Sequence, residues 1–253
     1  MMHGRTAGQL DVRVFADRAS AGAAAAELVI DTLRELLRTK AEARVVFAAA
    51  PSQSRMLAGL RAAEGIDWSR VTAFHMDEYV DLPASAPQRF DAFLRRELWD
   101  EVRPGRTHPI DPGADPETAA REYAELLRSG SIDLVCLGIG NNGHLAFNDP
   151  PVADFDDPLS VKVVELDEDC RQQQVTDECF DSLTQVPTHA VTLTVPALLS
   201  GGRLVATVPG AAKREALRAA LDGPIDERCP ASVLRRHPNA VLFADADAYG
   251  PIS

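Results

Sequence analysis

Residues 132–150 read IDLVCLGIGNNGHLAFNDP, and this stretch decides the fold class. Its first six residues form an apolar run, which is typical of a strand buried on both faces of a parallel sheet. Glycine and asparagine then end the strand in a loop. Upstream, Asp115 and Pro116 have the N-cap and N1 character of a helix start, and Gly130 would close that helix as its C′ residue. The stretch therefore predicts a helix–strand–loop unit of an α/β protein.

Strand and helix patterns alternate along the rest of the chain as well. Further strands are predicted at residues 10–15, 43–50, 71–75, 190–195, 204–208 and 240–244. Further helices are predicted at residues 21–40, at 211–221, and through Leu57, Leu60 and Ala63. This alternation predicts a mostly parallel sheet with helices on both faces. Since no low-complexity linker or internal repeat divides the chain, we expect one domain over residues 1–253.

The composition is that of a globular protein and excludes several function classes. Apolar residues make up 45% and charged residues 25% of the chain, which argues against disordered, collagen-like and coiled-coil proteins. The net charge of −12 repels phosphate backbones, so we expect no nucleic-acid partner. Four cysteines without CxxC pairing indicate a reducing compartment, and we expect no metal site. Without a signal peptide or a membrane-length apolar run, the sequence predicts a cytoplasmic protein with no membrane partner.

The loop over residues 138–143 contains a formal GxGxxG pattern. In a dinucleotide-binding protein a helix opens at the third glycine, but here Asn148-Asp149-Pro150-Pro151 interrupts the chain, and no helical periodicity follows before Val161. We therefore expect no dinucleotide and no other cofactor. Glycines still let backbone N–H groups approach a ligand closely, which makes Gly140 and Gly143 candidate ligand contacts.

Two candidate proton-transfer groups follow different strands, at the sheet edge where α/β proteins bind ligands. Asn142 and Asp149 flank His144, so a neighbouring acceptor could fix its tautomer for acid–base work; alternatively, all three residues form local turns. Asp77 stands beside Glu78, and burial or like charge could raise the pKa of such a base. Alternatively, Asp77 caps the next helix and Glu78 is solvated. The residues alone leave these alternatives open.

Together these segments resemble the glucosamine-6-phosphate isomerase/deaminase family, which shares its fold with 6-phosphogluconolactonases. The resemblance covers nearly the whole chain and rests on four stretches: MDEY at 76–79, LGIGNNGHLAFNDP at 137–150, VP at 186–187 and PGAAK at 209–213. It implies a three-layer α/β/α sandwich with a mostly parallel, modified Rossmann-like sheet. The HLAFN run at 144–148 is similar to the deaminases, whereas lactonases usually carry a Thr-Ala-Ser-like continuation after that histidine.

The resemblance also implies a reaction, the conversion of glucosamine 6-phosphate to fructose 6-phosphate and ammonia. Asp77 would take the proton from the carbon beside the carbonyl, and His144 would open the pyranose ring. Family deaminases usually have an aspartate two residues before this histidine and a glutamate five residues after it. Here Asn142 and Asp149 hold these places, so one carboxylate remains. Family deaminases occur as monomers and as rings, so a homo-oligomer is one of the expected states.

A phosphate site is implied at two places. Ser52, Gln53 and Ser54 replace the family's Thr-Gly-Ser-Thr-Pro-type loop, and hydroxyl and N–H groups at a helix N-terminus suit a phosphate. Lys213 matches the family's phosphate lysine, although it could also be a solvated helix lysine. Arg171 is the nearest match to the family's arginine before the Val-Pro pair.

Two other functions compete with deamination of a hexosamine 6-phosphate. A 6-phosphogluconolactonase-like hydrolase would use His144 to activate water and would need no carbon base at Asp77. A sugar-phosphate-binding regulator that has lost catalysis through Asn142 would keep the serine loop and Lys213. The presence of both Asp77 and His144 favours an enzyme that transfers protons at carbon.

Overall fold

The computed structural model describes residues 1–251. Its strands are β1 (His3–Ala7), β2 (Leu10–Phe15), β3 (Ala43–Phe47), β4 (Val71–His75), β5 (Asp77–Tyr79), β6 (Arg106–His108), β7 (Leu134–Leu137), β8 (Val161–Glu165), β9 (His189–Leu193), β10 (Arg203–Val208) and β11 (Ala240–Asp245). Its α-helices are α1 (Arg18–Thr39), α2 (Ser54–Arg61), α3 (Phe90–Leu94), α4 (Asp100–Val102), α5 (Pro116–Arg128), α6 (Glu168–Thr176), α7 (Val195–Leu199), α8 (Arg214–Asp222) and α9 (Ala246–Tyr249). A π-helical turn, Arg95–Trp99, joins α3 to α4.

The strands form a large parallel sheet and a small antiparallel one. The main sheet has eight strands in the order β1-β2-β11-β10-β7-β3-β4-β6. Every neighbouring pair in it is parallel except β1 with β2 at one edge. The small sheet has the order β5-β9-β8, and both of its pairs are antiparallel. The predicted α/β fold with a mostly parallel sheet is confirmed.

Each face of the main sheet packs against its own layer of helices. Because side chains alternate along a strand, Val46 of β3 faces one core while Val45 and Phe47 face the other. Helices α1 and α2 cover the face of Val45. Helices α5, α7 and α8 cover the face of Val46. The arrangement is a three-layer α/β/α sandwich, as the resemblance implied.

Most predicted elements are confirmed, with ends that differ by a few residues. The helix predicted at 211–221 begins as a 3₁₀ turn, Ala211–Lys213, and continues as α8. No helix opens at Gly143, and residues 144–160 form turns and irregular backbone. This confirms the expectation that the prolines prevent a dinucleotide-type helix here. The patterns did not predict strands β1, β5, β6 and β8, nor helices α3, α4, α6, α7 and α9.

Parallel strands place the functional stretches at one edge of the main sheet. The carboxyl ends of β3, β4, β7 and β10 lie side by side there. Residues 76–79, 138–150 and 209–213 follow the ends of β4, β7 and β10 directly, and residues 51–54 follow β3 after three residues. This is the edge at which open α/β sheets bind ligands. Within residues 1–251, none of the helices combines the length and the apolar character that a membrane span requires.

Candidate active site

A cavity of about 720 Å³ opens at this edge of the main sheet. Five residues selected from the sequence line it, namely Ser52, Asp77, Gly140, His144 and Lys213. They come from four separate stretches of chain that the strand order brings together. The other selected residues lie outside this lining, namely Gln53, Ser54, Asn142, Gly143, Asp149 and Arg171.

His144 is held by a carboxylate that is buried beneath it. Its Nδ1 lies 2.8 Å from Oδ1 of Asp149, whose side chain is 1% exposed. Burial alone would raise the pKa of Asp149. The hydrogen bond and charge interaction with His144, together with a hydrogen bond from Asn142, outweigh burial and hold the pKa of Asp149 below its usual value. An ionised Asp149 accepts a hydrogen bond from the protonated Nδ1, so Nε2 is the ring nitrogen that is left to contact a ligand.

Asn142 supports this pair by binding the Asp149 carboxylate and the backbone of His144. Its Nδ2 donates to Asp149 Oδ1 at 2.8 Å, and its Oδ1 accepts the backbone N–H of His144 at 3.0 Å. The amide therefore ties the carboxylate to the loop that carries the histidine. The charge that the family's aspartate would supply at this place is absent, since an amide does not ionise.

Gly140 allows His144 to lie flat against the loop. A Cβ atom at this position would overlap the imidazole ring of His144, so the close approach requires glycine. The Gly140 N–H donates to the His144 carbonyl, and the Gly143 N–H donates to the Gly140 carbonyl. Both predicted ligand-facing N–H groups are thus used inside the loop. Gly140 still lines the cavity, and Gly143 does not.

Asp77 faces the same cavity from the first position of β5. Its side chain is almost buried, and burial, followed by the charge of Glu78, raises the pKa of Asp77 well above its usual value. A carboxylate in such a place is a stronger base than one in water. Asp77 pairs with Thr192 of β9 within the small sheet. The alternative that it caps a helix is wrong.

Glu78 takes the capping role instead and is not solvated. It is 0% exposed, and its carboxylate accepts the backbone N–H groups of Tyr79, Phe90 and Asp91 at 3.0–3.1 Å. The latter two belong to the first turn of α3. Burial raises the pKa of Glu78 to about 7, against the opposing effects of Arg89 and these hydrogen bonds. Glu78 thereby fixes the strand end on which Asp77 stands.

Lys213 and Ser52 lie on the strand-end turns after β10 and β3. Lys213 is half-buried; burial lowers its pKa, and the negative charge of Asp177 partly opposes this. The Ser52 hydroxyl accepts a hydrogen bond from Gln53 Nε2, which also donates to the carbonyl of Leu137. Gln53 is 0% exposed and so holds Ser52 against β7 from inside. Ser54 begins α2 outside the cavity lining.

Arg171 does not line the cavity with Lys213 and Ser52, because its guanidinium binds backbone carbonyls instead. Its Nη2 donates to the carbonyls of Leu183 and Val186 at 2.8 and 3.0 Å. These bonds tie α6 to the turn before β9. Arg171, which the resemblance implied at the phosphate site, lies outside the cavity lining.

Arg18 lines the cavity instead, from the first turn of α1. Its Nη2 lies 3.2 Å from the point where a Cβ of Gly210 would stand. Gly210 has a φ of +94°, so the turn after β10 favours glycine for its backbone as well as for this approach. The exposed Arg18 therefore lies beside the 209–213 turn, which itself carries the half-buried Lys213. No sequence pattern distinguishes Arg18 from an ordinary surface arginine.

The C-terminal end of α6 forms a further wall that the sequence analysis missed. Gln173, Gln174 and Asp177 line the cavity there. Oε1 of Gln173 accepts the backbone N–H of Asn141 at 2.9 Å, which joins the wall to the histidine loop. The helix is mostly polar, with Cys170 as its one buried residue, so no apolar periodicity predicts it.

One group of side chains has the donor types that a zinc ion prefers. Ligand atoms of His144, Asp149 and Cys170 lie within 4.8 Å of one another, and all three residues are buried. In this arrangement, however, Nδ1 of His144 and Oδ1 of Asp149 are at hydrogen-bonding distance from each other. The geometry suits a shared proton.

Comparisons with known proteins identify relatives of this chain. The sequence profile of the family described as "Glucosamine-6-phosphate isomerases/6-phosphogluconolactonase" matches residues 16–243. A glucosamine-6-phosphate deaminase of Bacillus cereus is 34% identical over 224 residues, which cover 88% of this chain and 83% of that protein. A deaminase of Bacillus anthracis has the same identity and coverage.

Solved structures give the same result for the fold. A monomeric glucosamine-6-phosphate deaminase superposes with a TM-score of 0.85 at 29% identity, covering 94% of this chain and 98% of that one. A 6-phosphogluconolactonase from Thermotoga maritima has a TM-score of 0.76 at 21% identity, covering 93% and 99%. The second likeness shows the shared fold alone.

Proposed function

The chain belongs to the glucosamine-6-phosphate isomerase/6-phosphogluconolactonase family of enzymes, and we propose that it converts glucosamine 6-phosphate to fructose 6-phosphate and ammonia. One observation carries the proposal: a buried carboxylate, Asp77, and a carboxylate-supported imidazole, His144, line one cavity that also holds Lys213. The deaminases at 34% identity support the same substrate. In this proposal the partner is a small sugar phosphate.

The phosphate lies at the end of the cavity formed by Lys213, Arg18 and Ser52. In a chain of net charge −12, an anionic substrate needs a locally positive site, and these two cations supply it. The Ser52 hydroxyl adds a hydrogen-bond donor. The sugar then extends toward Asp77 and His144.

Ring opening uses His144. Nε2 takes the proton from the C1 hydroxyl and returns a proton to the ring oxygen, while the bond between C1 and the ring oxygen breaks and the C1 carbonyl forms. Asp149 accepts a hydrogen bond from Nδ1 throughout, which keeps the imidazole oriented and stabilises its charged form.

Isomerisation and deamination use Asp77. Its carboxylate removes the proton from C2, the electron pair forms the C1–C2 double bond, and O1 gains a proton to give an enolamine. Return of the proton to C1 leaves an iminium group at C2. Water adds to C2 and ammonia leaves, which gives the ketose. Burial of Asp77 suits this task, because it raises the pKa of the carboxyl and so makes the carboxylate a stronger base.

The test is to incubate the protein with glucosamine 6-phosphate in heavy water and to follow both ammonia and deuterium at C1 of the product. The proposal predicts both signals together, and unphosphorylated glucosamine as a control should give neither at equal concentration. Exchange without ammonia would identify a different isomerase. Hydrolysis of 6-phosphogluconolactone in place of both signals would favour the lactonase, and binding with no turnover would favour the regulator.

A cytoplasmic location is part of this proposal. The four cysteines are free thiols within residues 1–251, which fits a reducing compartment.

A further inference from the structure

Cys170 lies beneath the catalytic loop and has no part in the reaction described above. It stands in the first turn of α6, is 1% exposed, and packs in a small core with Phe147 and Val186. Its sulfur lies within 4.8 Å of a carboxylate oxygen of Asp149 and of a ring nitrogen of His144. The thiol proton of Cys170 is therefore close to the acid–base pair.

The hydrogen bonds of Asp149 leave room for one more donor. Oδ1 accepts from both His144 Nδ1 and Asn142 Nδ2, at 2.8 Å each. Oδ2 is buried and has no hydrogen-bond partner in the described part of the chain. A buried carboxylate oxygen without a donor is costly, so a donor within reach would stabilise the ionised form.

We propose that Cys170 is a positioning residue whose S–H group turns to donate to Oδ2 of Asp149, which keeps that carboxylate ionised and aimed at His144. The inference rests on the proposed role of His144 in ring opening. The thiol would be the third donor to this carboxylate, after His144 Nδ1 and the neutral amide of Asn142. A thiol is a weak donor, which suits a carboxylate that must still accept a strong bond from the imidazole.

The ionisation of the two groups is consistent with this direction of donation. Burial raises the pKa of Cys170, so the sulfur keeps its proton at neutral pH. The thiol is among the groups that lower the pKa of Asp149. The same burial shields the sulfur from oxidants and alkylating agents, which separates this role from that of a reactive cysteine.

The test compares Cys170→Ala and Cys170→Ser with a matched truncation, Cys136→Ala. Cys136 is an equally buried thiol in β7, within the core on the α1 side of the sheet. The first readout is kcat for ammonia release at neutral pH. A carboxylate that has lost a donor holds the His144 imidazole less firmly, so Cys170→Ala should lower kcat by about threefold. Cys170→Ser retains a donor and should keep the wild-type kcat, as should Cys136→Ala.

A second readout does not depend on the activity. The NMR resonance of the His144 Nδ1 proton reports its bond to Asp149, and it should shift in Cys170→Ala but not in Cys170→Ser or Cys136→Ala. If this shift is seen in a protein without deaminase activity, the positioning role stands and only the proposed reaction fails. The inference is overturned if all three variants keep the wild-type resonance, or if Cys170→Ala and Cys170→Ser shift it equally.

Discussion

The phosphate end of the cavity gives the most informative single substitution, Arg18→Met. The change removes a guanidinium that lies beside the 209–213 turn and keeps an apolar stem of similar length. A charge-assisted hydrogen bond contributes about 1.5–3 kcal/mol, and solvent screening of the exposed Arg18 reduces this to about 1.4 kcal/mol. That free energy corresponds to about a tenfold weaker affinity for the phosphate group.

Two measurements check this expectation. Calorimetry should show about a tenfold higher Kd for inorganic phosphate, and the KM for glucosamine 6-phosphate should rise by the same factor with kcat nearly unchanged. The matched variant is Arg171→Met. It loses two hydrogen bonds to backbone carbonyls, so its Tm should fall by about 4 °C while phosphate affinity is kept. Wild-type affinity in Arg18→Met together with a tenfold loss in Arg171→Met would refute the reasoning.

Two further predictions concern the loop and the small sheet. Gly140→Ala should lower kcat by about a hundredfold and keep the phosphate affinity, because the added methyl group displaces the imidazole of His144. The control in the same steady-state assay is Gly4→Ala, whose methyl group makes only ordinary van der Waals contacts. Glu78→Gln should change how stability depends on pH. Because the pKa of Glu78 rises from 4.5 to about 7 on folding, its contribution is complete below pH 4.5 and is lost as the pH rises to 7. Urea unfolding should therefore show the stability of wild type, relative to Glu78→Gln, falling over this interval; a constant difference would contradict the burial argument.

The fold could be read from the sequence wherever a local pattern decides the structure. Asp115 accepts the N–H of Thr118 and Pro116 opens α5, as their residue types predicted. The apolar strands of the main sheet were evident for the same reason, since both of their faces are buried. Helix α6 was not predicted, because its nine residues expose a polar surface on nearly all sides and bury only Cys170.

The site could be read only in part, because its contacts join distant stretches of chain. Spacing alone left Asp77 undecided between a base and a helix cap, and its pairing with Thr192 in the small sheet excludes the cap. Resemblance selected Arg171 by its position in the chain, but the direction of a side chain is set by packing. Arg171 points to the turn before β9, and Arg18 reaches the cavity from a helix that no motif marked.

The central claim is that Asp77 takes the proton from C2 of the sugar, and solvent exchange in Asp77→Asn tests it most directly. An amide of nearly the same shape cannot act as the base, so we expect no deuterium from heavy water in the sugar and no ammonia. The Kd for glucosamine 6-phosphate should stay within about tenfold of wild type, a change below about 1.4 kcal/mol. Deuterium entering C1 at the wild-type rate in this variant would contradict the mechanism.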